Sequence, residues 1–91
     1  MDRVKQVKKE FQQKYFFGEP YGQYVNGCGI SNLRIRQDVK KDALDLRAGE
    51  SLDDLCLSVT FSTTPPKSLE FPSEYGGVRV FYDVIGEIRA L

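Results

Sequence analysis

The sequence predicts an α+β domain in which an N-terminal helix packs on a three-stranded, mainly antiparallel sheet. Apolar residues recur at helical spacing near the start of the chain, at Val4, Val7, Phe11 and Tyr15. In LCLSVTFS, Leu55 to Ser62, apolar and small polar residues alternate with the period of a strand. The chain of 91 residues suits a single domain, residues 1–91, with one modest core.

The helix spans residues 2–16, with Asp2 at the capping position and Lys and Gln on the wet side. Gly18 and Pro20 end it. The segment YFFGEPYGQY is dense in aromatics and reads as the corner that locks helix to sheet. The first strand runs from Tyr24 to Gln37. Cys28 and Ile30 share one face of it, whereas Leu33 and Ile35 have the opposite parity. A β-bulge near Ser31–Asn32 would return all four to one side. Residues 38–54 are polar and read equally as a loop or a short irregular helix.

In the second strand, Leu55, Leu57, Val59 and Phe61 form a core face, and Cys56, Ser58, Thr60 and Ser62 form the other. Pro65–Pro66 then breaks regular structure, and PSEY predicts one helical turn closed by Gly76. The third strand is VRVFYDVI, Val78 to Ile85, followed by GEIRAL. The stretch 63–77 exceeds the roughly 2–5 residues of a hairpin loop and suits a parallel crossover. Strands two and three are therefore expected to be parallel with strand one antiparallel between them, in the order 2-1-3. A meander with a long loop is the rival arrangement.

Gly27 and Gly29 have the parity opposite to Cys28 and Ile30, so they join Cys56, Ser58 and Thr60 on a flat, short-sided face. Two readings of this face stand. Phe81 of a neighbouring third strand could lie over the glycines and cover their backbone. Alternatively the face receives a loop, a second subunit or a partner. Gly27, Gly29, Cys56, Ser58, Thr60 and Phe81 are thus the candidate interaction surface.

Chemistry is mostly argued against. The chain has no histidine, which removes Ser-His-Asp and Cys-His arrangements and the commonest metal ligand. Cys28 lacks a base and reads as a small core thiol. Two cysteines do not make a closed zinc site. GCGISN, Gly27 to Asn32, superficially resembles a dinucleotide loop. It is set aside because Asn32 replaces the third glycine and LRIR is expected to continue as strand. No GK[ST] phosphate loop is present. Asp38, Asp42, Asp45, Glu50, Asp53 and Asp54 lack the calcium-loop pattern and read as a solvated acidic loop. No catalytic residue, cofactor or metal is expected.

VNGCGIS, CLSVTFS and FPSEYGGVRVFYDVIGEI together resemble a small bacterial module of the cyanobacterial type, found alone and ahead of trypsin-like peptidase domains. Gly27, Gly29 and Ile30 match its valine-glycine strand. Pro72, Gly77, Val78 and Val80 match its last strand, with Phe71 in a leucine position. No peptidase follows, and no triad can be built without histidine. The resemblance implies an accessory or interaction module rather than proteolysis.

The expected function is a non-catalytic protein-interaction or regulatory module, working with a protein partner or as a homodimer. The alternative is weak nucleic-acid binding by the basic helix (Arg3, Lys5, Lys8, Lys9, Lys14), with Arg34 and Arg36 nearby. Thirteen Lys and Arg balance thirteen Asp and Glu, which removes a global electrostatic pull toward nucleic acid or anionic membrane. The N-terminus lacks the apolar segment of a signal peptide, and no apolar run is long enough to span a bilayer. A cytoplasmic protein with reduced thiols is therefore expected.

Overall fold

The computed structural model describes residues 2–41 and 44–85. The capping role of the Asp2 side chain, the acidic position Asp42 and the whole GEIRAL tail lie outside what it describes. Helix α1 spans Asp2–Phe11 and continues as one π-helical turn over Gln12–Phe16, closed by Phe17 N–H donating to the Gln12 carbonyl at 2.9 Å. A short 3₁₀ turn, Tyr21–Gln23, leads into β1, Val25–Asn32. Helix α2 is Leu33–Asp38 and β2 is Leu55–Phe61. β3 is only Glu74–Tyr75, and β4 is Val78–Val84.

The sheet has four strands, not three, in the order β1-β2-β4-β3. β1 pairs antiparallel with β2, and β2 pairs parallel with β4. The parallel relation inferred from the long connection holds, which excludes the meander. The expected order 2-1-3 does not hold, because β2 rather than the glycine strand is central. The reason is burial on both faces: Leu57, Val59 and even Cys56 are fully buried in β2. β2 is covered on both faces, by α1 over Leu57 and Val59 and by Arg36 of α2 over Ser58, whereas the glycine strand brings fewer apolar side chains to the core.

The first strand is also shorter than expected. LRIRQD turns into α2 because Asn32 caps it, its extended backbone letting Oδ1 accept from Ile35 N–H at 2.9 Å. Leu33 and Arg36, three residues apart, are buried together, while Ile35 is exposed. That is helical periodicity, so the strand alternation read for Leu33 and Ile35 is overturned. The bulge sits at the other end of β1, between Val25 and Gly27. There it places Val25, opposite Phe61, on the same face as Cys28 and Ile30.

One face of the sheet carries the core. Val25, Leu57, Val59, Phe61, Val78 and Val80 pack against Val7, Phe11 and Tyr15 from the N-terminal helix. The aromatic corner is as expected: Tyr15 and Tyr21 lie 4.8 Å apart, and Phe71, from the crossover, meets Tyr21, Phe61 and Tyr82. Phe17 alone points out, at 72% exposure.

PSEY does not form a helical turn. Glu74–Tyr75 is instead the first arm of a two-residue hairpin, Tyr75 pairing with Val78. Gly76 and Gly77 both have positive φ, 59° and 81°, the requirement of a type I′ turn. A Cβ on Gly76 would also stand 2.9 Å from Val7 Cγ2. Gly76→Ala is therefore expected to lose about 1–2 kcal/mol from the left-handed backbone alone, read as a shifted urea midpoint with unchanged slope.

Candidate functional site

The strand register brings the candidate residues alongside one another. Gly27 stands opposite Thr60, Gly29 opposite Ser58, and Ser31 opposite Cys56; across β2, Ser58 faces Phe81 and Thr60 faces Asp83. The structure divides it in two. The Cys56–Ser58–Phe81 part is covered by α2, whose Arg36 is 1% exposed. Arg36 donates to Asp83 through both terminal nitrogens, Nη1 to Oδ2 at 2.7 Å and Nη2 to Oδ1 at 3.2 Å. Nη1 also donates to Ser58 Oγ at 3.3 Å, and the guanidinium carbon lies 5.0 Å from the centre of the Phe81 ring. The short side chains of β2 make room for this planar group. This half is occupied by the chain's own α2.

Phe81 does not shield the glycines. β4 lies on the far side of β2, about 10 Å from β1 at the usual strand spacing, and the Phe81 ring is engaged by Arg36. Gly27, Gly29 and Thr60 remain half-buried, and a Cβ on Gly29 would meet nothing within 4 Å. The argument against a dinucleotide loop also changes its basis, because a helix does follow GCGISN. The glycines, however, lie within the antiparallel ladder, not in the strand-to-helix turn. The first amides of α2 are already engaged: Leu33 N–H donates to the Asp54 carbonyl at 3.0 Å and Arg34 N–H to the Leu52 carbonyl at 2.8 Å. With Ile35 N–H on Asn32, this helix end offers no phosphate seat.

Among the described residues the acidic stretch is a solvent-exposed loop after Asp38, the last residue of α2, and some of its carboxylates are paired. Asp53 pairs with Arg34 at 3.3 Å and Glu50 with Arg79 at 3.3 Å. Asp54 Oδ2 accepts from Ser51 N–H at 3.0 Å. These contacts wall a shallow groove of about 400 Å³ between the starts of α1, α2 and β4. No cluster able to hold a metal ion occurs among the described residues. Near β1, Arg36 is withdrawn from the surface by its pair with Asp83 and Arg34 pairs with Asp53, while Arg3, bound to the Gly76 carbonyl, keeps its charge.

Family models, curated proteins and solved structures give no match to this chain. The functional reading therefore rests on the residues themselves.

Reasoning from sequence missed Arg36 and Asp83. The signal was present in VFYDVI, where one carboxylate interrupts an apolar strand and needs a cation beside it. The Asp83 carboxyl is held below the usual range, first by the hydrogen bonds from Arg36, with the charges of Arg36 and Lys40 adding to this against the opposing effect of burial. A depressed folded-state value means that Asp83 binds its proton more readily in the unfolded chain. Its stabilisation is present above the unfolded value and is lost as pH falls through the folded one. The stability gap between wild type and Asp83→Asn should thus be full at neutral pH and close in the acid range. Urea midpoints at a series of pH values measure it; a gap independent of pH would contradict the pairing.

Cys28 is half-buried on the core side of β1, and burial raises its thiol above the ordinary value, partly offset by the Lys8 charge. A raised thiol is less ionised at neutral pH and slower to react. Its modification by Ellman's reagent in the native protein is expected to be slower than that of free cysteine. A faster rate would point to an activated thiol.

What stays open is the outer edge of β1. β1 ends the strand order, so among the described residues no strand pairs with its far side. Its eight residues, VNGCGISN, contain no charge and no proline. The opposite margin is protected: β3 pairs with the start of β4, Val80 N–H donates to the Ser73 carbonyl at 2.9 Å, and Tyr82 Oη donates to the Pro72 carbonyl. No helix among the described residues is long and apolar enough to cross a membrane.

Proposed function

We propose that this chain is a non-catalytic protein-interaction domain whose docking element is the free edge of β1. The observation that carries this is the asymmetry of the two sheet margins. Edge strands are ordinarily shielded by charge, proline, bulges or a covering segment, because unpaired N–H and C=O groups recruit other strands. β4 has such a cover, whereas among the described residues β1 has only a bulge at its start. An exposed edge of this kind binds by adding a strand, with backbone hydrogen bonds giving affinity and alternate side chains giving selectivity. The absence of histidine from the sequence, the raised Cys28 thiol and the paired carboxylates all favour binding over catalysis. A cytoplasmic setting fits a chain with two cysteines and no disulfide framework in its sequence pattern.

The test places charges on the edge. Asn26→Lys and Ser31→Lys together should leave the melting temperature within about 2 °C of wild type, since exposed or half-exposed substitutions change little. Proteins captured by the wild type from its native cell should be lost on this variant. Undiminished capture would remove β1 as the docking element.

A further inference from the structure

Resting on that reading, we infer that the β1 edge takes an extended segment of a partner protein in which acidic residues alternate with aromatic ones. Two features beside the edge, one on each face of the sheet, carry the inference. On the core side, α1 lies over β1, with Val7 and Phe11 inward. Lys8 and Gln12, four residues apart, are half-buried on one flank of the helix. Lys8 is the charge nearest in effect to Cys28 of β1, and it has no carboxylate partner among the described residues. A strand added to β1 would place every second side chain on the side of the sheet that carries α1 and Lys8, and an acidic residue there complements that charge.

On the other side the glycines leave a shelf. Gly29 has open space where a Cβ would stand, and Gly27 meets only Thr60 Oγ1, at 3.1 Å. Exposed strand glycines are best covered by an aromatic ring from the adjacent strand, which lies over their backbone. The chain's own aromatic on this face, Phe81, is two strands away and engaged with Arg36. The ring must therefore come from the added strand, at positions alternating with the acids.

The experiment uses fluorescently labelled ten-residue peptides that alternate glutamate with phenylalanine, lysine with phenylalanine, and glutamate with serine. Fluorescence anisotropy with the full chain should show the first binding at least tenfold tighter than either of the others. Lys8→Glu should reverse the glutamate-over-lysine preference. Gly29→Val, which the open space accommodates, should weaken the first peptide at least fivefold while leaving the melting temperature in place. Equal affinity for all three peptides, no binding by any of them, or a preference unchanged by Lys8→Glu would overturn the inference. Should the charged-edge variant still lose its captured protein in that event, the interaction reading survives and only the partner chemistry falls. Light scattering that finds a β1-dependent dimer of this chain would replace the acidic-aromatic partner with a second copy.

Discussion

Arg36→Ala is expected to lower stability by about 3 kcal/mol, the low end for breaking a buried ion pair, because Asp83 is 28% exposed and regains some hydration. Arg36 is almost wholly buried, and one side chain joins α2 to two strands through Asp83, Ser58 and the Phe81 ring. Alanine forfeits those contacts and uncovers the second face of the sheet. For a domain of this size each kcal/mol moves the melting temperature by about 4–8 °C, so a fall of about 12 °C or more should appear in a calorimetric scan. The double variant Arg36→Met with Asp83→Asn separates packing from charge. Apolar replacement of a buried pair is often neutral or better, so it should regain at least half of the loss. A melting temperature for Arg36→Ala within about 2 °C of wild type would mean that α2 is held by something else.

Phe11→Ala should be comparably damaging, by about 3–5 kcal/mol. Phe11 has no exposed surface, and its ring lies 4.7 Å from that of Tyr15 and 5.6 Å from that of Tyr75. It is the residue through which α1 touches both its own continuation and the β3–β4 hairpin. Removing the ring leaves a cavity that the rigid sheet cannot close. Because domains of this kind hold only about 5–15 kcal/mol in total, the variant should be partly unfolded in mild urea. The decisive measurement is the free energy of unfolding from the urea curve. A loss below about 1 kcal/mol would contradict the seating of α1 on the sheet.

The parts legible in the sequence are those whose signal is local. LCLSVTF reads as a strand because its alternation is complete within seven residues, and VRVFYDV because β-branched and aromatic residues dominate it. Val4, Val7 and Phe11 mark a helix by their spacing. LRIRQ misleads for the same local reason: its apolar residues alternate like a strand, yet the pair that is buried is Leu33 with Arg36. Nothing nearby shows that an arginine will be inside. Its carboxylate partner is 47 residues further along. The candidate face fared likewise. Cross-strand parity grouped Gly27, Gly29, Ser58 and Thr60 correctly, but which half is covered depended on where α2 turned.

The sequence by itself determined the α+β class, the helix that covers the core, the alternating strand and the parallel relation across the long connection. These follow from side-chain periodicity and chain length, which are written within short windows. Only the tertiary structure decided that β2 is flanked on both sides, that the glycine strand is an edge, and that Arg36 closes half of the second face. Those outcomes turn on desolvating a charge beside a distant partner and on burying a strand from both sides. Both are energies of contact between remote segments, and no short window contains both members of the pair.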